Sequence, residues 1–288
     1  MRDAAFKGLA VGFFDGVQLG HQAILKSATA ALTFRNHPLG VLAPERAPRL
    51  IMTCEERVAA IRACGIEEVT VLDFTPELGE MDPEVFVRRH VMAADGERKT
   101  VKVFCGENWR FGRGGAGDAD FLRQRGIEVD VVPYAEYGGD RISSSRVRAS
   151  LERGEIKDAN AMMGRRFKVA GLLSKGKGVG AKLGYPTLNL RLPTLSLRLP
   201  LGAYAVEIEG MRGVANYGIA PTMGERAWAS PVLEVHLLGT PDNRTIRTIE
   251  QSDSPSVSFV DYLRPERKFA SVEELQRQIA EDCRRART

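Results

Sequence analysis

Cysteine is scarce in this 288-residue chain. The four cysteines are far apart, and no two of them form a Cys-x-x-Cys pair: Cys54, Cys64, Cys105 and Cys283. Zinc sites need closely spaced pairs, and small secreted domains that depend on disulfides need many more cysteines. We therefore interpret the four as reduced thiols of a cytosolic protein rather than as a disulfide framework or a zinc site.

Long apolar runs and strong charge are also missing. No apolar run approaches the roughly 20 residues that a membrane-spanning helix needs. Arg2 and Asp3 lead directly into a short apolar segment, which is not the pattern of a signal peptide. The net charge of +4 is too small and too evenly spread to predict nucleic-acid binding. We expect a soluble cytoplasmic protein that has neither a membrane nor a nucleic acid as its partner.

The first part of the chain alternates between strand-like and helix-like segments. Such alternation is typical of a parallel sheet covered by helices. The predicted strands are residues 9–13, 31–34, 69–74 and 100–104. The predicted helices are residues 21–28, 54–64 after a Thr53 N-cap, and 83–92.

After Gly164 the sequence predicts strands without intervening helices, at residues 167–173, 203–208, 214–217, 232–238, 245–249 and 257–263. Turns rich in Gly, Pro, Asn and Asp separate them, which favours a small antiparallel β-barrel. Ser271 and Glu274 have the spacing of a capping box that starts a final helix, with Val272, Leu275 and Ile279 as its apolar face. We thus predict two domains, residues 1–164 and residues 165–288.

The most informative stretch is GKGVGAKLGYPTLNL, residues 176–190. Its glycines let backbone N–H groups approach an anion closely, and two lysines lie beside them. Alternation along a strand puts Thr187 and Asn189 on one face, where two hard oxygen ligands suit a magnesium ion that arrives with substrate phosphates. No Gly-Lys-Ser/Thr opens a helix here, and no strand-to-helix unit surrounds the glycines, so neither a common phosphate loop nor a dinucleotide site is predicted.

Four further segments carry polar side chains at predicted strand ends or helix starts: residues 11–21, 33–38, 106–112 and 142–148. In an open parallel sheet the first three lie at the carboxyl edge, where ligands bind. His21 lies at the start of a helix there, and the three hydroxyls and two arginines of residues 143–148 open another helix, an arrangement suited to anions. When His21 is considered in isolation, a helix-capping role without any ligand is an open alternative.

Together these motifs resemble one family, the prokaryotic bifunctional riboflavin kinase/FMN adenylyltransferases, also called FAD synthetases. The kinase half of the resemblance includes residues 184–189, 213–222, 233–237 and 263–269, and the whole resemblance covers essentially the entire chain in the family's domain order. It implies a Rossmann-like nucleotidyltransferase domain followed by a riboflavin kinase barrel. It also implies riboflavin, FMN, FAD and ATP as small-molecule partners, with Mg²⁺ as the cofactor.

For the kinase half, the resemblance implies a base for the ribityl 5′-hydroxyl at Glu234. Strand alternation places Glu234 and His236 on the face opposite Leu233, Val235 and Leu237. Arg264 is a weaker candidate for the flavin, its alternative role being a surface ion pair. The resemblance further implies that the glycine-rich segment wraps the ATP phosphates, through Gly176, Lys177, Gly178 and Gly180. It also implies that Thr187 and Asn189, which follow that segment, hold magnesium.

For the adenylyltransferase half, the resemblance implies that phosphates contact His21, that Asn108 holds the substrates, and that phosphate oxygens bind the residues Ser144, Ser145 and Arg148. The family's first loop reads His-x-Gly-His, whereas this chain has Gln18 at the first position, which cannot carry a positive charge. The segment from His21 to the predicted strand at Thr33 and Phe34 is also shorter than the family's. These two departures leave open the alternative of a riboflavin kinase whose adenylyltransferase domain is weakened or inactive. A flavin- or nucleotide-binding protein without turnover is a further alternative, which loss of Thr187, Asn189 or Glu234 would favour, and all three are present.

Overall fold

A computed structural model describes residues 8–92, 102–174, 179–192, 199–219, 231–239, 249, 251–252 and 254–287. The chain divides into two compact units, Met1–Ser145 and Arg146–Thr288. We predict the domain boundary later in the chain, at Gly164, and that boundary stays a prediction. Within the described ranges, no helix is both long enough and apolar enough to cross a bilayer.

The first unit contains a five-stranded sheet in which every neighbouring pair is parallel, as predicted. Its spatial order is β3-β2-β1-β4-β5. The chain runs outward from β1 to one edge and then returns through β4 to the other, so the order reverses between β1 and β4. The strands are β1 (Leu9–Val11), β2 (Ala30–Phe34), β3 (Glu68–Leu72), β4 (Val103–Gly106) and β5 (Val129–Val132). A crevice outside the carboxyl ends of β1 and β4 is where sheets of this kind bind ligands.

Short helices connect these strands: α1 (Leu19–Leu25), α2 (Leu39–Leu42), α3 (Cys54–Arg62), α4 (Pro76–Gly79), α5 (Pro83–Phe86) and α6 (Ala119–Arg123). The Thr53 cap of α3 is confirmed: its hydroxyl accepts from the Glu56 N–H at 3.1 Å, and its own N–H donates to the Glu56 carboxylate at 2.8 Å. The helix predicted over residues 83–92 is confirmed, with its second half wound as a π-helical turn, Val87–Val91, that directly continues α5.

A two-stranded hairpin and two helices follow: β6 (Glu136–Tyr137), β7 (Asp140–Arg141), α7 (Ser144–Arg153) and α8 (Ile156–Met163). In the second unit, Asn160 of α8 fixes the start of the next sheet, since its amide donates to the Phe259 carbonyl at 2.9 Å and accepts from the Phe167 N–H at 2.7 Å. The left-handed backbone of Gly164 ends α8 (φ 64°).

The second unit is built on a seven-stranded antiparallel sheet of spatial order β8-β14-β11-β12-β13-β10-β9. Its strands are β8 (Phe167–Ala170), β9 (Leu172–Ser174), β10 (Leu188–Arg191), β11 (Gly202–Ile208), β12 (Met211–Ile219), β13 (Pro231–Leu237) and β14 (Ser256–Pro265). The antiparallel sheet is confirmed. Of the strand predicted over residues 245–249, residues 245–248 lie outside the described residues.

Gly171 turns one predicted strand into two. The strand expected over residues 167–173 is wrong, because β8 and β9 lie at opposite edges of the sheet and only Gly171 separates them in sequence. A Cβ atom at this position would lie 2.8 Å from Leu192 Cδ2 and 2.9 Å from Leu190 Cβ, so a larger residue would not fit the corner. The sheet therefore curls, since β8 ends and β9 begins on either side of Gly171 although they are its two edge strands.

The remaining helices are α9 (Val179–Lys182) and α10 (Val272–Arg287). The hydroxyl of Ser271 caps α10 by accepting from the Glu274 N–H at 3.2 Å, whereas the Glu274 carboxylate accepts from the Ala270 N–H rather than from Ser271. Half of the predicted capping box is thus displaced by one residue. Val272 is 54% exposed, so the apolar face instead begins at Leu275 and ends at Ala286.

Small side chains let α10 approach the sheet closely, in a cluster of Ala203, Ala205, Val214, Leu263, Cys283 and Ala286. A buried ion pair fixes this contact. The Nε and Nη2 atoms of Arg264, in β14, each lie 2.9 Å from Asp282 Oδ2 in α10, and their side chains are only 17% and 2% exposed. Gln278 also donates to the Asp282 carboxylate at 2.9 Å.

We expect Asp282→Ala to lower the free energy of unfolding by about 3 kcal/mol, because it leaves the Arg264 guanidinium buried without its partner. Glu281→Ala is the matched control, since Glu281 forms an exposed ion pair with Arg284 on the same helix and such pairs contribute about 0–1 kcal/mol. Urea denaturation followed by circular dichroism measures both. Equal losses in the two variants would contradict the assignment.

Candidate active sites

The loop that follows β1 lies at the reversal point of the parallel sheet and is held in an unusual conformation. Phe14 and Val17 both have left-handed backbones (φ 58° and 40°), which is costly for a β-branched residue. The Asp15 carboxylate accepts from the Ile51 N–H at 3.1 Å, and the Ser144 hydroxyl donates to the Asp15 carbonyl at 2.8 Å. Strain maintained by such bonds is common at ligand sites.

Gln18 is a buried N-cap of α1 in the structure. Its side-chain oxygen accepts from the Gly20 N–H, and its amide NH₂ is the group that can donate to an anionic ligand. The prediction of a phosphate contact at Gln18 is not tested by this arrangement. A histidine at the same position has a ring nitrogen that can take over the cap.

His21 lies in the first turn of α1 with its ring edge-on to Phe14, the two ring centroids being 5.4 Å apart. Its Nδ1 atom is buried and has no hydrogen-bond partner among the described residues. Burial lowers the pKa of His21 from 6.5 to about 4, so the ligand-free imidazole is neutral at pH 7. A buried ring nitrogen without a partner is a polar group for which a ligand can provide the missing contact.

The other residues predicted for this site lie on three elements of the chain. Asn108 follows β4 and is exposed, and its Oδ1 atom lies over Gly106 near Ile24 of α1. Ser144 is tied to the loop after β1 through Asp15. Ser145 is exposed at the start of α7, and Arg148 lies further along α7, in the second unit.

Sequence reasoning missed Arg57, a fully buried arginine of α3 under the carboxyl ends of β1 and β2. Its guanidinium lies 4.2 Å from the centre of the Phe13 ring and donates to the Arg35 carbonyl at 3.1 Å. Its Nε and Nη1 atoms have no hydrogen-bond partner within the described part of the chain, and burial lowers its pKa. Nothing in a helical pattern distinguishes such an arginine from a solvated one.

In the second unit, the backbone register places the predicted base, Glu234, opposite a predicted metal ligand, Asn189. Asn189 of β10 pairs directly with Glu234 of β13, and Glu234 pairs on its other side with Asn216 of β12. Partners directly opposite in antiparallel strands share a face. Glu234 is exposed while its neighbours Leu233 and Val235 are buried, so the predicted alternation is confirmed.

Thr187 completes this polar group. The Asn189 amide nitrogen lies 3.5 Å from the Thr187 hydroxyl oxygen and 3.4 Å from its carbonyl oxygen, so the two side chains are adjacent. Among the described residues, no group of three or more His, Cys, Asp and Glu side chains is placed to hold a metal. A hydroxyl, an amide and one nearby carboxylate suit a hard cation that arrives already bound to phosphates.

The end of the glycine-rich segment packs against Thr187. Residues 179–182 form one helical turn, α9, where we predicted only a loop. The Tyr185 N–H donates to the Gly180 carbonyl at 2.8 Å, and a Cβ atom on Gly180 would collide with the Tyr185 carbonyl oxygen and lie 3.5 Å from Thr187 Oγ1. Gly180 therefore allows this close approach, while Gly176, Lys177 and Gly178 lie outside the described residues.

Arg264 lies on the same cross-strand row, which runs from Glu234 through Asn216 and Ala203. Its guanidinium forms an ion pair with Asp282. The alternative role of an ion pair is therefore present, but the pair is buried and does not lie on the surface. Contact between Arg264 and a flavin stays a prediction. The row also adds Asn216, which sequence reasoning did not select because strand alternation cannot reveal which strands are neighbours.

Both halves of the chain match known protein families. A family model described as FAD synthetase matches residues 3–146, and one described as riboflavin kinase matches residues 163–288. The bifunctional riboflavin kinase/FMN adenylyltransferase of Listeria monocytogenes is 31% identical over 96% of this chain and 90% of its own length. That of Pseudomonas fluorescens is 32% identical over 96% and 91%.

Among solved structures, the crystal structure of a macrolide-efflux protein from Streptococcus pneumoniae has a TM-score of 0.82 and 25% identity, over 98% of this chain and 94% of that one. This likeness concerns the fold. Two ATP-using transferase domains on one chain define the class of protein. The chain belongs to the family of bifunctional riboflavin kinase/FMN adenylyltransferases.

We expect His21 to titrate near pH 4 in the ligand-free protein and at a higher pH when pyrophosphate is bound, because an adjacent anion favours the imidazolium. The lowered pKa also makes a stability contribution that is complete above the unfolded value of 6.5 and is lost as the pH falls towards 4. A ¹H–¹³C NMR titration of the imidazole signals measures this, with His21→Asn for assignment. Titration near 6.5 without ligand would contradict the burial.

Proposed function

We propose that this protein phosphorylates riboflavin to FMN in its second unit and adenylylates FMN to FAD in its first, with ATP as co-substrate in both reactions. The observation that carries the proposal is the alignment of Glu234 with Asn189, next to Thr187, on one exposed face of the curled sheet. The family membership supports both activities. We also propose that the curled sheet forms a closed barrel, that the domains divide at residue 164, and that the protein works in the cytoplasm.

In the kinase reaction the ribityl 5′-hydroxyl of riboflavin attacks the γ-phosphorus of ATP, and the bond from that phosphorus to the β–γ bridging oxygen breaks. Such transfers depend mainly on positioning and charge neutralisation, with one base near the attacking hydroxyl. Glu234 accepts the hydroxyl proton, a role suited to an exposed carboxylate that has neutral amides on both neighbouring strands. Gly180, with Gly176, Lys177 and Gly178, binds the ATP phosphates through its backbone.

Thr187 and Asn189 would hold the magnesium ion, and their adjacent oxygen-bearing side chains fit a hard cation. When bound, the metal would neutralise negative charge on the phosphates. Arg264 would contact the flavin from β14. Because Arg264 is paired with Asp282, that contact would involve only the part of the guanidinium that Asp282 leaves free.

Adenylyl transfer makes different demands. The nucleophile is the FMN phosphate, which is already an anion, so no strong base is needed and the site must instead align two polyanions. His21 would contact the phosphates through its unpartnered ring nitrogen, with the Gln18 amide beside it. Asn108 would hold the substrates, and phosphate oxygens would bind Ser144, Ser145 and Arg148.

The proposal is tested by incubating the protein with riboflavin, ATP and magnesium and separating the products by chromatography. FMN that appears first and is then converted to FAD is the expected result. FMN without FAD would support the alternative of a weakened or inactive adenylyltransferase domain. The absence of both would contradict the proposal and favour a binding protein without turnover.

Glu234→Gln should lower the rate of FMN formation by about 10² to 10⁴, because the amide keeps the shape of the side chain but cannot accept the proton. FAD formation from supplied FMN should not change, since it takes place in the other unit. Initial rates for both reactions provide the measurement and its control. Near-normal FMN formation by the variant would eliminate Glu234 as the base.

Gln18→His should raise the rate of FAD formation from FMN by about five- to thirty-fold, because a ring that can carry positive charge gains a charge-assisted contact in the transition state. Gln18→Asn is the matched control: it keeps an amide that can cap α1 and adds no titratable group. The FMN-forming rate should be the same in all three proteins. No gain with histidine would show that the glutamine is an adequate replacement.

A further inference from the structure

One side-chain hydrogen bond links the two parts of the proposed kinase site. His236 Nδ1, on β13, lies 2.9 Å from the carbonyl oxygen of Pro186, just before β10. A carbonyl oxygen can only accept, so Nδ1 carries the proton and Nε2 is the unprotonated nitrogen of the neutral ring. The structure thus assigns a single tautomer to this histidine.

The bond lies where the backbone ladder ends. The paired residues of β10 and β13 run from Arg191 and Val232 to Leu188 and Val235, so within the described residues the backbone ladder between these strands stops at Leu188. Proline has no N–H to donate to a ladder. The imidazole therefore extends the connection between β10 and β13 by two residues, to the carbonyl immediately before Thr187.

His236 lies close to two residues of the proposed kinase site, Glu234 and Thr187. His236 follows Glu234 by two residues and so lies on the same face of β13. Thr187, directly after Pro186, is adjacent to Asn189. One bond thus ties the strand that carries the proposed base to the turn of residues 183–187, which ends at the proposed metal ligand Thr187.

Two further contacts hold the same turn from other directions. The Tyr185 ring is edge-on to His236, with centroids 5.3 Å apart. Gln276 of α10 donates to the Leu183 carbonyl at 3.4 Å. The turn of residues 183–187 is thus anchored at Leu183 by α10 and at Pro186 by His236. Of these two hydrogen bonds, the one from His236 lies on the face of β13 that carries Glu234.

We propose that His236 is a positioning residue of the kinase site, which holds Thr187 beside Asn189 and Glu234 through the Pro186 carbonyl and does not itself contact the reacting atoms. This inference rests on the proposed kinase function. It predicts that loss of the bond weakens use of Mg-ATP more than use of riboflavin, because the proposed metal ligand Thr187 directly follows the Pro186 carbonyl, whereas the proposed flavin residue, Arg264, lies on β14.

Three substitutions separate the hydrogen bond from the ring. His236→Asn places an N–H donor near the position of Nδ1, His236→Gln places its donor near Nε2, and His236→Ala has no donor. With a hydrogen bond contributing about 1 kcal/mol, the Gln and Ala variants should raise KM for Mg-ATP about five-fold. KM for riboflavin should change less than two-fold, and the Asn variant should remain within two-fold of wild type in both.

Two results in the KM for Mg-ATP would overturn the proposal: a Gln variant that matches the Asn variant, or an Asn variant as impaired as Ala although its thermal stability is normal. Equal rises in KM for both substrates would also contradict it, since they would indicate a general loss of structure.

A second measurement does not depend on turnover. Long-range ¹H–¹⁵N NMR of the wild-type full-length protein identifies the tautomer of each histidine, and His236→Asn assigns the signal. The Nδ1–H tautomer is expected at neutral pH, and the Nε2–H tautomer would overturn the inference. If the wild type forms no FMN, the proposed function fails, and the tautomer still decides whether the bond exists.

Discussion

The antiparallel register of β10 on β13 is the constraint on which the second unit's proposed chemistry depends. Side chains alternate along a strand, so a slip of one residue would turn Glu234 towards the interior and expose its apolar neighbours. Leu190, Leu233 and Val235 are almost completely buried, and this burial opposes such a slip. The same apolar side chains that build the core therefore fix the position of the carboxylate beside Asn189.

The two candidate sites differ in the way that their proposed reactions differ. The site on the curled sheet has an exposed carboxylate, as expected where a hydroxyl must lose a proton. The site on the parallel sheet has a buried imidazole, a capping glutamine and serine hydroxyls, whereas the one carboxylate of its first loop, Asp15, is committed to the Ile51 N–H. That composition suits a reaction whose nucleophile is already charged.

Local patterns predicted much of this structure. The Thr53 cap, the parallel and antiparallel sheets and the outward side of Glu234 follow from capping chemistry and periodicity, which act within a few residues. The corner at Gly171, the π-helical turn after Phe86 and the exposure of Val272 depend on what packs nearby, so the sequence alone did not reveal them. The burial of Arg57 and the bond of His236 to Pro186 escaped prediction for the same reason, because their partners are carbonyl groups brought close only by folding.

A crystal structure of the protein with Mg-ADP and riboflavin bound tests the central claim most directly. We predict that the metal contacts the Thr187 hydroxyl and the Asn189 side-chain oxygen, and that the Glu234 carboxylate lies within about 3.2 Å of the ribityl 5′-hydroxyl, the reach of a general base. A metal held by other residues, or a flavin whose 5′-hydroxyl lies away from Glu234, would contradict the proposed kinase site.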